Sequence, residues 1–168
     1  MSEVGPQQLA RLLEEHGGAL VLYARQWCSC ADDVVQEALI QLVRQKQAPQ
    51  RVVPWLYRVV RNGAISAARA ESRRRHYEAA AASQAPWFVP SDADRLDAEI
   101  AQSALERLPL EQRETIVARL WGGLTFDEIA AMSGSSSSSA HRWYETGLAA
   151  LRQSLGVKCP EKKTRLKT

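Results

Sequence analysis

Apolar residues recur along the chain at spacings of three and four, and alternating β-branched runs bounded by Asn-Gly or Asp-Gly are nearly absent. That pattern predicts an all-α protein. A first helix carries Leu9, Leu12, Leu13, His16, Leu20 and Tyr23 on one stripe, with the Gly17-Gly18 pair expected to bend or loosen it. A second, from about Asp32 to Arg44, has Val34, Val35, Ala38, Leu39, Leu42 and Val43 as its buried face. Its polar face holds Asp32, Asp33, Gln36, Glu37 and Gln41. A third runs from about Pro54 to Tyr77, and Pro54 suits a first turn because its missing N–H would have no partner there.

After Tyr77 the periodicity stops. Residues 79–94 contain two prolines, several small residues and the apolar triplet Trp87-Phe88-Val89, which is expected to dock locally. The stretch reads as a flexible linker between two small helical domains, 1–78 and 95–156, followed by a basic tail over 157–168. The second domain opens with Leu96, Ile100, Ala104, Leu105 and Leu108 before Pro109 stops the helix, and Ile116, Val117, Leu120 and Trp121 are expected to continue its core. Thr125-Phe126-Asp127-Glu128 is a T-x-x-E capping box, with Leu124 and Ile129 at staple spacing. A short helix to about Ser133, a stop at Gly134 and a longer helix from about Ser137 to Leu155 give the layout of a helix-turn-helix.

Charge sharpens this picture. The 168 residues carry a net charge of only +3, but it is unevenly spread. Arg44 to Arg75 holds nine basic residues against Glu71 alone, whereas Ala79 to Glu114 holds three basic against seven acidic residues. The first of these segments suits a polyanion. It also supplies what strand separation needs, namely aromatic faces for unpaired bases beside cations that follow a backbone. Trp55, Tyr57, Arg58, Arg61, Asn62, Arg69, Arg73, Arg74 and Arg75 lie on the one helix, although Trp55 and Leu56 equally suit a core, and Asn62 a bracing role.

Other chemistries are not signalled. There is no Gly-rich phosphate loop, no H-E-x-x-H and no G-x-S-x-G, so catalysis is not expected. His16 with Cys28 and Cys30 makes a poor metal clip because the cysteines are separated by a single residue, and neither a metal nor a cofactor is expected. Three cysteines without framework spacing read as reduced thiols. The opening MSEVGPQQ has no export-signal pattern, and no apolar run is long enough to span a membrane, so a cytoplasmic protein without membrane insertion is expected.

Four segments in order resemble the bacterial sigma-70 family, specifically its extracytoplasmic-function (ECF) group, which keeps regions 2 and 4. ADDVVQEALIQLVR (31–44) is similar to the region 2 helix that docks on the polymerase beta-prime clamp helices. PWLYRVVRNGAISAARAESRRR (54–75) is similar to the helix that melts and reads the −10 element. Residues 105–134 resemble region 4.1 running into 4.2, and 135–152 occupy the place of the −35 recognition helix. The resemblance implies core polymerase contacts at Asp32, Asp33, Gln36 and Glu37. It implies −10 contacts at Trp55, Tyr57, Arg58, Arg61, Asn62, Arg69, Arg73 and Arg74, and −35 contacts at Ser137, Ser138, His141 and Arg142. The implied partners are core RNA polymerase, through the beta-prime clamp helices and the beta flap, promoter DNA and an anti-sigma factor. Ser135, Trp143 and Thr146 depart from the family's usual aliphatic and basic residues, which implies a small electrostatic contribution from that helix. The rival readings are a helix-turn-helix regulator acting without polymerase and a helical protein-binding adaptor.

Overall fold

The computed structural model describes residues 4–77 and 95–156. Among them lie seven helices: α1 Pro6–Ala24, α2 Ala31–Val43, α3 Val52–Tyr77, α4 Arg95–Glu106, α5 Leu110–Leu120, α6 Phe126–Ser133 and α7 Ser137–Ser154. No strand occurs among the described residues. The linker and tail read from the sequence, 79–94 and 157–168, lie outside the described residues.

The first three helices form one bundle. Leu20, Leu42, Leu56, Val60 and Ala64 fill its centre, each almost fully buried. α2 and α3 approach closely at Gly63, where an added Cβ would stand 3.0 Å from Cγ1 of Val34. Pro54 lies in the first turn of α3, where it displaces no intrahelical bond. The expected bend at Gly17-Gly18 does not interrupt α1, which runs unbroken from Pro6 to Ala24. Two mid-helix glycines cost about 1 kcal/mol each, and burial of Leu20, Leu22, Tyr23 and Ala24 beyond them outweighs that cost.

Helices α4 to α7 form the second unit. The capping box at Thr125 is complete: its hydroxyl accepts from the Glu128 amide, and the Glu128 carboxylate accepts from the Thr125 amide at 2.7 Å. Leu124 and Ile129 are both buried, as the staple spacing requires. Gly134 closes α6 at φ +70°, a left-handed conformation that glycine adopts without a Cβ penalty, and its N–H returns to the Ala130 carbonyl. The Ser136 hydroxyl then caps α7 by accepting from the Ser139 amide.

Several expected core positions lie at the surface instead. Leu13 is 47% exposed and Val43 49%, because both flank a groove between α1 and α2 rather than the bundle interior. Leu120 (53%) and Trp121 (43%) are likewise exposed, since α5 turns Glu114, Ile116, Val117 and Ala118 inward, and Ile100 (46%) is exposed on α4.

The two helical units share one continuous core: α1 and α3 pack against α5 and α6, and Tyr23 and Tyr57 join Ile116, Val117 and Leu124 in a single cluster. Gly122 permits this approach. A Cβ there would stand 2.6 Å from the Tyr57 ring and 2.5 Å from the Ala118 carbonyl oxygen, so only a residue without a side chain fits.

Candidate nucleic-acid and polymerase interface

The long α3 divides into two stretches. Towards its C-terminus Arg69, Arg73, Arg74 and Arg75 are exposed, as are Arg58 and Asn62 nearer its start. This row remains on the surface because the opposite side of α3, through Leu56, Val60 and Ala64, is buried against α1 and α2. Basic residues in the last turn also face the negative end of the helix dipole, which favours them there. Trp55 is half-buried against the core.

Tyr57 and Arg61 are placed differently. Tyr57 is fully buried, its ring centroid 4.9 Å from that of Tyr23, and it presents no aromatic face to solvent. Arg61 is only partly exposed. Its Nε donates to Glu114 Oε1 at 2.6 Å and its Nη2 to Oε2 at 3.4 Å. The Tyr23 hydroxyl donates to the same Oε1 at 2.6 Å, while the Arg61 guanidinium lies over the Trp27 ring, 5.8 Å from its centroid. In this arrangement neither residue is free to touch DNA, because the second helical unit covers both.

The electrostatics follow from burial and pairing. Burial first, then the Glu114 charge and hydrogen bond, raises the Tyr23 phenol well above its usual value. Burial alone raises Tyr57. For Arg61, burial lowers the guanidinium, but the Glu114 hydrogen bond and charge more than offset it, leaving the group firmly protonated. A second inter-unit ion pair joins Arg51 to Glu128 at 2.6 Å.

On α2, Asp32, Asp33, Gln36 and Glu37 are all exposed, while Val35, Ala38, Leu39 and Leu42 hold the opposite face in the core. Asp32 and Asp33 occupy the first turn, where the helix dipole stabilises them, and Asp32 lies 3.7 Å from Arg25. Beside this face, between α1 and α2, runs an apolar groove of about 620 Å³ lined by Leu9, Leu13, Val21, Leu39, Ile40 and Val43. Its apolar lining was not read as a site from the sequence; the signal was the excess width of the α2 stripe, which extends to Ile40 and Val43.

In the helix-turn-helix, Ser138, His141 and Arg142 are exposed and Ser137 is half-buried. His141 packs edge-on against Phe126 with centroids 5.0 Å apart, so α6 fixes its orientation. The Arg142 side chain projects one turn before Thr146, whose hydroxyl donates to the Arg142 carbonyl. Gly147 sets the depth of α7 on α5: an added Cβ would lie 2.7 Å from Ile116 Cδ1.

Cys28 is buried, and burial followed by the neighbouring Cys30 pushes its thiol up to about 12, which keeps it protonated and unreactive at neutral pH. Among the described residues, no three His, Cys, Asp or Glu side chains converge as a ligand set. No helix among the described residues is long and apolar enough to cross a membrane.

The sequence matches the sigma-70 region 2 family over residues 12–74 and the sigma-70 region 4 family over residues 98–151. It is 29% identical over 133 residues to the RNA polymerase sigma factor CarQ of Myxococcus xanthus, covering 75% of each chain. It is 32% identical over 109 residues to the ECF RNA polymerase sigma factor EcfG of Rhodopseudomonas palustris (strain TIE-1), covering 62% of this chain and 59% of that one. The fold resembles the sigma factor RpoE solved with the anti-sigma factor NepR from Bartonella quintana, with TM-score 0.70, 23% identity, and coverage of 89% of this chain and 97% of that one. It also resembles CnrH solved with the cytosolic domain of CnrY, with TM-score 0.62, 23% identity and 92% of both chains covered. With an α1–α3 bundle matching region 2 and a helix-turn-helix unit matching region 4, the chain belongs to the sigma-70 family of RNA polymerase sigma factors, in its ECF group.

Proposed function

We propose that the exposed acidic face of α2 docks on core RNA polymerase, that α3 engages and helps open the promoter −10 element, and that α7 seats the complex on the −35 element. The observation that carries this reading is the pairing of two oppositely charged faces on adjacent helices. Asp32, Asp33, Gln36 and Glu37 lie on α2, the row of exposed arginines lies on α3, and the Gly63–Val34 contact fixes one helix against the other. One face suits a basic protein surface and the other a nucleic-acid backbone, so the chain can bridge the two. The polymerase then supplies the catalysis, in the cytoplasm, and the chain itself supplies none.

Specificity in this scheme rests mainly on the −10 side. Region 4 offers Ser137, Ser138, His141 and Arg142, of which Arg142 is the one permanent cation, so its contact mainly fixes position. The apolar groove beside the α2 acidic face suits a helical segment of an anti-sigma protein, the class of partner solved with the RpoE relative.

Co-purification with core polymerase tests the reading. The wild-type chain is expected to retain core, and the double variant Asp33→Lys, Glu37→Lys is expected to lose it with helicity unchanged. Undiminished core binding by that variant contradicts the assignment of α2.

A further inference from the structure

The contact between the two helical units falls on the part of α3 that the proposed function gives to promoter DNA. Two carboxylates from the second unit, Glu114 and Glu128, each take an arginine of the basic segment, Arg61 and Arg51, at 2.6 Å. The Glu114 carboxylate, gripping the Arg61 guanidinium fork, offers the same charge-assisted hydrogen bonds that a DNA phosphate would. The Glu114 side chain is 5% exposed and accepts from both Arg61 and Tyr23, so it sits in a built site rather than at a chance surface contact. Tyr57, the aromatic residue of the same face, is covered by the Gly122 turn.

We propose that Tyr23, Arg61 and Glu114 form an intramolecular latch through which region 4 competes with promoter DNA for region 2, holding the free chain closed until the units separate. The inference rests on the sigma-factor reading, because that reading is what makes α3 a DNA surface. Closed, the chain withholds Arg61 and Tyr57 but keeps Arg58, Arg69, Arg73 and Arg74 exposed. It therefore retains a general attraction to polyanions while lacking the complete −10 surface. Opening frees Arg61 and uncovers Tyr57 from the Gly122 turn. The Tyr57 hydroxyl favours this, because it is buried without a hydrogen-bond partner among the described residues and gains water on release. The affinity of the free chain for DNA is then its intrinsic affinity reduced by the fraction of molecules that are open.

The latch is tested on the full chain without polymerase, by small-angle scattering and by fluorescence anisotropy with a labelled single-stranded oligonucleotide of mixed sequence. Glu114→Ala is expected to enlarge the radius of gyration and to tighten oligonucleotide binding by roughly tenfold or more. Glu111→Ala, which removes the same charge from the exposed side of α5, is expected to change neither. If Glu114→Ala loses helicity, Tyr23→Phe decides the question, since it keeps the ring packing and removes only the hydroxyl. It is expected to move both readouts in the same direction by a smaller amount. An unchanged radius of gyration overturns the latch, as does expansion without tighter binding, or an equal gain from Glu111→Ala. None of these readouts requires initiation, so a chain that shows the latch yet fails to support core-dependent transcription would indict the sigma-factor reading instead.

Discussion

Arg61 on α3 and Glu114 on α5 meet fork to fork across 53 positions of sequence, in a pocket that also receives the Tyr23 hydroxyl. The pair joins two helical units that the sequence pattern separates by a long aperiodic stretch. Removing one partner of a buried pair strands the other in a low-dielectric site, which costs more than the pair itself contributes.

A double-mutant cycle measures that coupling. Arg61→Ala and Glu114→Ala are each expected to destabilise the docked units, and the double variant to lose about 1–3 kcal/mol less than the sum of the two. Urea denaturation followed by near-ultraviolet circular dichroism reads the difference. Additive losses would mean that the guanidinium and carboxylate are neighbours without a shared energy.

Alkaline titration probes the same core. The Tyr23 and Tyr57 phenols have raised folded-state pKa values, so the folded protein prefers their protonated forms. Their contribution to stability is complete below the ordinary tyrosine pKa of about 10 and is lost as pH climbs above it towards the folded values. Absorbance of ionised phenol is expected to show two of the chain's four tyrosines silent until the fold gives way. Smooth ionisation of all four with helicity intact would contradict the burial of this pair.

Salt dependence separates the exposed arginines of α3 from the buried one. Arg69 and Arg73 reach solvent and have clear access to a phosphate backbone. Replacing either with Ala in the polymerase-bound complex is expected to flatten the plot of log affinity for promoter DNA against log salt by about 0.7–0.9 per lost contact. A slope unchanged in both variants would remove this row from the DNA interface.

How far these features were legible in the sequence depends on the range of the interactions behind them. The Thr125–Glu128 box, the Gly134 stop and the Ser136 cap are local, each formed within four residues, and their chemistry can be read directly from residue type and spacing. The polar face of α2 was legible for the same reason. The Arg61–Glu114 contact was not, because Glu114 stands in the run Glu111-Gln112-Arg113-Glu114, which resembles a solvated face. One signal was present: Glu114 lies three and four positions before the buried Val117 and Ala118, and so shares their face of α5. Tyr57 misleads in the opposite way, since an aromatic residue beside arginines suggests base stacking, whereas long-range packing against Tyr23 and Gly122 buries it. Leu13 and Val43 fit the apolar stripes yet are exposed, because periodicity reports which side of a helix is apolar, but not whether another element covers all of it.

Run-off transcription with purified core RNA polymerase on a promoter library tests the central claim most directly. The account predicts defined start sites that depend on both this chain and core, with initiation lost in the Asp33→Lys, Glu37→Lys variant. Transcription that never depends on the chain, or DNA binding by the chain that persists without any core-dependent initiation, would contradict it.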